Sequence, residues 1–451
     1  MTQQERKPGK TLIVGLGVTG LSCVRHLAAQ GVSLAVTDSR EQPPGLEALR
    51  KEFPDMALFL GGFQAEAFQA ASQLVVSPGI SLDEPLIQAA RKQGIEIVGD
   101  VELFARAVKA PVVAITGSNG KSTVTTLLGE MARMAGVRVA IGGNLGEPAL
   151  ALLDEAVELY VLELSSFQLE STWSLTPTAA VVLNISPDHM DRYKDVDAYA
   201  STKATLYDGT EVKVINRDDP RVVEMASQQA TTVGFTLKTP SGSDFGLHER
   251  EGVSWLSEGH TPLMPVSELR IPGRHNVANA LAALALGSAV GLPQNDMLAA
   301  LRSYSGLPHR TQWIADKQDL RWYNDSKGTN VGATIAALEG LHPESGTSRT
   351  ILIAGGECKD ADFSALAPVV ERTARAVILM GRDASLIESA LIGHCTLVHA
   401  TSLTEAVQQA VKFAQPGDRV LLSPACASFD MFKNFEARGE AFIQAVEALS
   451  A

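Results

Sequence analysis

The sequence predicts an α/β protein built from three consecutive domains. Three observations carry this. Apolar strands repeatedly run straight into a Gly-rich or polar loop and then a helix. Two of those loops, Gly15-Leu-Gly17-Val-Thr-Gly20 and Gly117-Ser-Asn-Gly120-Lys121-Ser122, have phosphate-binding spacing. The chain, at 451 residues, is too long for a single hydrophobic core. Changes of character along the chain place the domains at 1–99, 100–306 and 307–451.

The first domain opens with a strand from Thr11 to Val14, the Gly15–Gly20 turn, a helix to about Gln30, and a second strand from Ser33 to Thr37 that ends in Asp38. This is a Rossmann-like βαβ unit. Its helix N-terminus should hold a diphosphate, and Asp38 is placed to hydrogen-bond a nucleoside. A third strand, Leu74 to Ser77, ends in Ser77-Pro78-Gly79, and a fourth, Ile95 to Val98, ends near Gly99-Asp100. Open α/β sheets bind ligands at the C-terminal ends of their strands, so these loops are expected to line one site.

The second domain begins with the strand Val112 to Ile115 and a phosphate cradle. Gly117 and Gly120 let the backbone N–H groups of the turn, Asn119 among them, point at phosphate oxygens. Lys121 reaches the terminal phosphates, and Ser122 or Thr123 offers a hydroxyl to Mg²⁺. The spacing is GxxGK[ST], with Ile115 standing where the longer form of this loop has glycine. Two further apolar runs end in polar groups: Glu158 to Glu163, and Val181 onward through Asn184, Asp188, His189 and Asp191. A carboxylate at a strand end beside such a loop holds Mg²⁺ or its water. Glu163, a hard oxygen donor, suits that ion better than any histidine. An Ala/Leu-rich helix from Arg274 through Asn279 toward Gly291 closes this domain.

Past Leu307-Pro308-His309-Arg310 a third α/β unit follows, with strands at Arg321 to Tyr323, Thr350 to Ile353, Ala376 to Leu379 and Arg419 to Leu422. Polar loops follow several of them: Asn324 to Asn330, Gly355 to Asp360, and Ser423 to Asp430. No fixed-period repeat or low-complexity linker interrupts the chain.

With 38 basic and 51 acidic residues the net charge is −13, which argues against nucleic acid or an anionic membrane as main partner. Anionic small substrates held by local cations remain compatible with it. Cys23, Cys358, Cys395 and Cys426 have no CxxC spacing and are far apart, so a reduced, disulfide-free cytoplasmic protein is expected; a monomer is expected as well. The basic residues Arg6, Lys7 and Lys10 precede a run with helix-opening glycines rather than an export signal. The stretch Ala280 to Val290 is too short to cross a bilayer.

Seven segments, TGSNGKST, ELSSFQLE, NISPDHMDRY, GRHNVANALAA, GLPHR, NDSKGTN and SPACASFDMFKNFEARGE, occur in this order over nearly the whole chain. In this the sequence resembles the Mur ligases, ATP-dependent amide-forming ligases of peptidoglycan precursor synthesis, and so of cell-wall biogenesis, cell shape and cell division. The resemblance implies three α/β domains: Rossmann-like, P-loop mononucleotide-binding, and again Rossmann-like, the last closing over ATP. It implies a carboxylate that takes the γ-phosphate of ATP to become an acyl phosphate, which an amino acid then attacks. GLGVTG, NDSKGTN and SPACASFDMFKNFE point within the family to UDP-N-acetylmuramoyl-L-alanine as acceptor and D-glutamate as the incoming amino acid. A sister ligase adding a different amino acid is the alternative.

The same resemblance assigns roles. Lys121, Ser122 and Glu163 would handle ATP phosphates and one Mg²⁺. His189 and Lys203 would belong to a second Mg²⁺ site, and Asn279, Arg310 and Asp325 would hold the nucleotide. Val18, Thr19, Asp38, Ser39, Arg40, Ser77 and Gly79 would bind the UDP part, and Asn144 the sugar substrate. Lys327, Thr329, Lys359, Ser428, Phe429 and Phe435 would surround D-glutamate, with Ser39 and Phe429, where the family varies, expected to contribute backbone groups. A protonated lysine cannot ligate Mg²⁺. The family pattern therefore implies that Lys203 is carbamylated, whereas without it a lysine paired with an acid such as Asp197 is the simpler expectation. A nicotinamide dehydrogenase would leave Lys121, Glu163 and the Asn324–Asn330 loop without a role, and a regulatory nucleotide-binding module would need no second substrate site.

Overall fold

The computed structural model describes residues 9–189, 192–226, 231–342, 347–358 and 362–449. Its strands form three sheets. The first contains β1 (Lys10–Val14), β2 (Leu34–Asp38), β3 (Ala57–Leu60), β4 (Ala71–Val76) and β5 (Glu96–Val98) in the order β3-β2-β1-β4-β5. All its pairs are parallel. The order reverses beside β1, so the Gly15 turn lies at the switch point where such sheets bind ligands. Gly20 is required there: a Cβ on it would lie 2.0 Å from the Gly15 carbonyl oxygen. The strand expected third in the chain, at Leu74–Ser77, is the fourth. β3 precedes it, a short apolar run from Ala57 to Leu60 that is half-buried at the sheet edge.

The second sheet contains β6 (Val112–Thr116), β7 (Val139–Gly143), β8 (Leu159–Glu163), β9 (Ala179–Val182), β10 (Val212–Asn216) and β11 (Thr231–Phe235), followed by β12 (Phe245–Arg250), β13 (Val253–Glu258) and β14 (Thr261–Pro265). Their order is β14-β13-β12-β11-β10-β9-β6-β8-β7. It is parallel from β7 to β12 and antiparallel from β12 to β14. The hairpin between β12 and β13 turns on Glu251 and Gly252, both at positive φ (53° and 75°), the two-residue geometry whose twist matches paired strands.

The third sheet contains β15 (Gln312–Lys317), β16 (Leu320–Asn324), β17 (Thr350–Gly355), β18 (Ala374–Met380), β19 (Thr396–His399) and β20 (Arg419–Leu422), in the order β15-β16-β20-β17-β18-β19. It is parallel except for the β15–β16 hairpin. Its alternating side chains feed two cores, Leu352 and Leu421 on one face and Ile351, Ile353, Val420 and Leu422 on the other.

The chain forms two compact units, residues 1–266 with 278–300 and residues 267–277 with 301–451. Within the first, one core runs from the first sheet to the second: Ile13, Val36 and Val98 share it with Ala114, Tyr160 and Leu162. Phe104 meets Tyr160 edge-on at 5.2 Å. No helix among the described residues is long and apolar enough to cross a membrane.

One expectation is overturned. Cys358 and Cys426, 68 residues apart in sequence, are joined as a disulfide, while Cys23 and Cys395 are free thiols. Sequence spacing misleads here because β17 and β20 are neighbours in the sheet. Each cysteine sits just past the end of one of them, and Glu357 and Ala427 pair between the two loops.

Candidate active site

β6 is buried at all five positions and delivers the chain to Gly117, at φ 142°. The turn closes at Gly120, at φ 85°, where the helix Lys121–Met134 begins. A Cβ on Gly120 would lie 2.4 Å from Asn279 Oδ1, so the asparagine expected to contact nucleotide packs directly on the cradle. The loop after β9 braces the same turn: Asn184 Oδ1 accepts from the Asn119 N–H at 2.9 Å, and the Asn184 carbonyl from the Ser118 N–H at 2.9 Å. Lys121 Nζ donates to the Gly117 and Ser118 carbonyls at 2.9 and 3.0 Å, folded over its own loop. Thr123 follows on the first turn, half-buried.

The register of β6 with β8 sets Ile115 opposite Glu163, placing this acid beside the cradle. Ser122 Oγ donates to Glu163 Oε2 at 2.7 Å, and Asn144 Nδ2 to Oε1 at 2.8 Å. Glu163 is 3% exposed. A hydroxyl and a carboxylate already in contact are a hard-oxygen donor pair that fits Mg²⁺, which takes its remaining positions from water and phosphate. Among the described residues no group of three or more His, Cys, Asp or Glu gathers as a metal site.

Lys203 lies in the helix Val196–Ala204 and is 1% exposed. Its Nζ donates to Thr116 Oγ1 at 3.1 Å, at the end of β6, and sits 4.7 Å from the centre of the Tyr199 ring. Burial lowers its pKa to about 7, and the nearby Lys121 charge adds to the fall against Asp188 and Glu163. Pairing with Asp197 does not occur, because Asp197 is in contact with Arg221 instead. His189 is held at φ 56°, a left-handed conformation uncommon for histidine, with its ring 4.7 Å from Phe167 and 6.3 Å from Tyr199. His189 and Lys203 therefore flank the same tyrosine ring.

At the first sheet, Asp38 is fully buried and its carboxylate is taken up by the chain. It accepts from the Leu16 N–H at 2.7 Å, the Arg40 N–H at 2.9 Å, and the Arg40 guanidinium at 2.8 and 2.7 Å. Asp38 thus braces the glycine turn, while Val18, Ser39, Arg40 and Gly79 are exposed and Thr19 and Ser77 half-buried. Ser77 Oγ donates to the Gly15 carbonyl at 3.0 Å. Arg192 joins this loop to the second sheet's domain: it donates to Ile80 O at 3.3 Å and pairs with Glu170 at 2.5 Å. Sequence reasoning missed Arg192, Tyr199 and Thr116. Arg192 and Thr116 lie inside recognisable segments but carry no spacing signal of their own.

In the second unit, Asp325 follows β16 and is 5% exposed. Burial raises its pKa to about 6 against hydrogen bonds from Ser423 Oγ at 2.6 Å and the Thr311 N–H at 3.0 Å, with Arg310 also opposing the rise. Lys327 and Thr329 are exposed on the same loop, and Lys327 Nζ stands 5.5 Å from the centre of the Phe435 ring. Ser428 is buried at 2% and Phe429 exposed at 65%. Lys359 lies outside the described residues.

A phosphate cradle with a strand-end carboxylate, in a chain with three α/β sheets, defines a P-loop protein built to bind nucleoside phosphates. Three family models match in sequence: Mur ligase MurD-like, N-terminal domain over residues 9–99; Mur ligase middle domain over 115–287; and Mur ligase, glutamate ligase domain over 309–426. The chain belongs to the Mur ligase family. It is 58% identical over 447 residues to a UDP-N-acetylmuramoylalanine--D-glutamate ligase of Nitrosococcus oceani, covering 99% of this chain and 98% of that one. It is 52% identical over 447 residues to the enzyme of that name from Methylobacillus flagellatus, covering 98% of both. In fold it is similar to a UDP-N-acetylmuramate-alanine ligase from Thermotoga maritima, with a TM-score of 0.59 at 18% identity over 98% of this chain and 99% of that chain.

Proposed function

We propose that this enzyme joins D-glutamate to UDP-N-acetylmuramoyl-L-alanine at the expense of ATP, acting as a cytoplasmic monomer in peptidoglycan precursor synthesis. Its 58% identity to a ligase of that name supports the choice of substrates. The observation that carries the reading is the pair of lysines at the cradle. A phosphate loop alone would serve any ATPase. A second lysine, buried at the end of β6 with Lys121 close enough to lower its pKa, is placed to lose its charge and become a ligand of a second Mg²⁺, which would receive a second anion beside the γ-phosphate.

The acceptor carboxylate is unreactive toward amines until phosphorylated, so the residues at the cradle must first bring two anions together. Lys121 would unfold from the Gly117 and Ser118 carbonyls onto the phosphates, and the N–H groups of the turn would hold the rest of the chain of phosphates. Ser122 and Glu163 would hold Mg²⁺, which when bound draws charge from the phosphate oxygens. Asn279 would keep the nucleotide on Gly120, with Arg310 and Asp325 contributing from the third domain. Asn144, through its bond to Glu163, would set the sugar substrate in line with the metal-side carboxylate. Val18, Thr19, Arg40, Ser77 and Gly79 would bind the UDP part, with Asp38 and Ser39 shaping the turn. Lys327, Thr329, Lys359, Ser428, Phe429 and Phe435 would receive D-glutamate. We place the domain boundaries at 99/100 and 306/307.

Lys203 would join His189 in holding a second Mg²⁺ only after losing its positive charge. Carbamylation by CO₂ supplies that, converting the amine to an anionic two-oxygen group of the kind Mg²⁺ prefers. Its lack of a carboxylate partner at Asp197 and its place against Thr116 and Tyr199 favour this reading. The function is tested by an amino-acid panel with UDP-N-acetylmuramoyl-L-alanine, scored by ADP formation. D-glutamate should give the highest kcat/KM. Preference for L-alanine or a diamino acid would refute the assignment.

A further inference from the structure

Arg438 is 2% exposed, one of the largest wholly buried side chains, and none of its bonds is to a carboxylate. It sits in the first turn and a half of the helix Phe435–Glu447, whose N-terminus is capped by Asn434 through the Ala437 N–H at 2.8 Å. A guanidinium has five N–H donors, and here five contacts use them. Nε donates to Ser326 Oγ at 3.0 Å. One terminal nitrogen donates to the Cys426 and Ala427 carbonyls at 3.2 and 3.3 Å. The other donates to the Ser326 and Cys426 carbonyls at 2.9 and 3.2 Å. Burial lowers its pKa to about 10, against the pull of Asp430.

Burying a charge whose bonds go only to neutral oxygens is unfavourable unless something else is gained. Its partners indicate the gain. Ser326 precedes Lys327 and Thr329, and Cys426–Ala427 precedes Ser428 and Phe429. Ser326 Oγ in turn donates to the Phe435 carbonyl at 2.8 Å. The third loop is included as well: a Cβ on Gly356 would lie 3.3 Å from the guanidinium, and Glu357 pairs with Ala427. One side chain thus ties together two of the three loops proposed to receive the amino acid and lies against the third.

We infer that Arg438 is a positioning and specificity-determining residue of the amino-acid site, holding its loops in register by their carbonyls and adding a buried positive charge that favours a dicarboxylic amino acid over a neutral one. This rests on the proposed D-glutamate reaction and deepens it. Its substituents separate the two contributions. Lysine keeps the charge but lacks the planar fork that reaches two loops at once. Methionine keeps the bulk and loses both.

The test compares wild type, Arg438→Lys and Arg438→Met for KM of D-glutamate, ATP and the UDP substrate, and for kcat/KM with D-glutamate against D-glutamine, which lacks the second carboxylate. For Arg438→Lys, KM for D-glutamate should rise about 10-fold or more, while the other two KM values stay within about twofold. Arg438→Met should in addition lose most of the preference for D-glutamate over D-glutamine. If the methionine variant does not fold, Arg438→Gln replaces it as the uncharged variant. A folded Arg438→Lys enzyme with unchanged KM for D-glutamate, or with all three KM values raised in parallel, overturns the inference and leaves the reaction standing. A wild type that does not use D-glutamate overturns both.

Discussion

Replacing Asp38 by asparagine tests the reading of the first glycine turn, because the structure gives this acid a different task from the nucleoside contact expected of it. Both of its oxygens are bonded, to the Leu16 and Arg40 N–H groups and twice to the Arg40 guanidinium. Burial on its own would raise the carboxyl pKa. The Arg40 side chain and the two backbone donors outweigh burial and hold it at about 2, against an ordinary 3.8. That fall is worth roughly 2 kcal/mol to the folded turn, and somewhat less after solvent screening. The discount is needed because the Arg40 side chain is 52% exposed.

Asparagine keeps the shape but has one acceptor oxygen where the carboxylate has two, and it turns an N–H group toward a backbone or guanidinium donor. The amide of Leu16 should then exchange its hydrogen about 10- to 30-fold faster, read by hydrogen-exchange mass spectrometry on the peptide spanning the turn. KM for the UDP substrate should rise while kcat at saturation stays close to wild type. The pH dependence has a definite sign. A group whose folded pKa is depressed stabilises fully above its unfolded value and loses that contribution as pH falls through the folded one. The difference between wild type and Asp38→Asn should be flat from neutral pH down to about 5 and shrink between about 4 and 2. Unchanged exchange at Leu16, or a difference that grows on acidification, would refute the reasoning.

Lys121→Ala should lose on the order of 10²-fold or more in kcat with little change in folding, measured by ADP formation and circular dichroism. Near-normal turnover would remove the loop from ATP chemistry. Lys359→Ala should raise KM for D-glutamate with ATP affinity unchanged by calorimetry, since a dicarboxylate needs a cation in its pocket. Lys203→Ala should be nearly inactive and partly restored by small carboxylic acids. An unmodified ammonium at Lys203 in a structure of the active, Mg²⁺-bound enzyme would count decisively against carbamylation.

What the sequence made legible follows from where physical constraint is local. The strand, turn and helix around Thr116–Lys121 could be read because glycine, lysine and serine at that spacing have one common use. The outer strands could not. β3 is half-exposed, and β12 to β14 depend on the turns at Glu251-Gly252 and Gly259-His260 rather than on apolar runs. Contacts between residues distant in sequence were invisible for the same reason. Arg438 meets Ser326 over 112 positions and Lys203 meets Thr116 over 87. Neither separation has a sequence signature, and the disulfide between Cys358 and Cys426 belongs with them.

The net charge of −13 must be reconciled with substrates that are all anions. Surface charges act weakly beyond a Debye length of about 8 Å at physiological ionic strength, so the acidic exterior does not decide what binds inside. Two of the cations placed at the sites are shielded from that exterior. Lys121 is half-buried over its own loop and Arg438 is 2% exposed. Some exposed cations are paired with neighbours, as Arg25 is with Glu52 and Arg372 with Glu339. At the two shielded points attraction for anions is least screened by salt. Substrate affinity should accordingly depend less on ionic strength than attraction by surface charge would require.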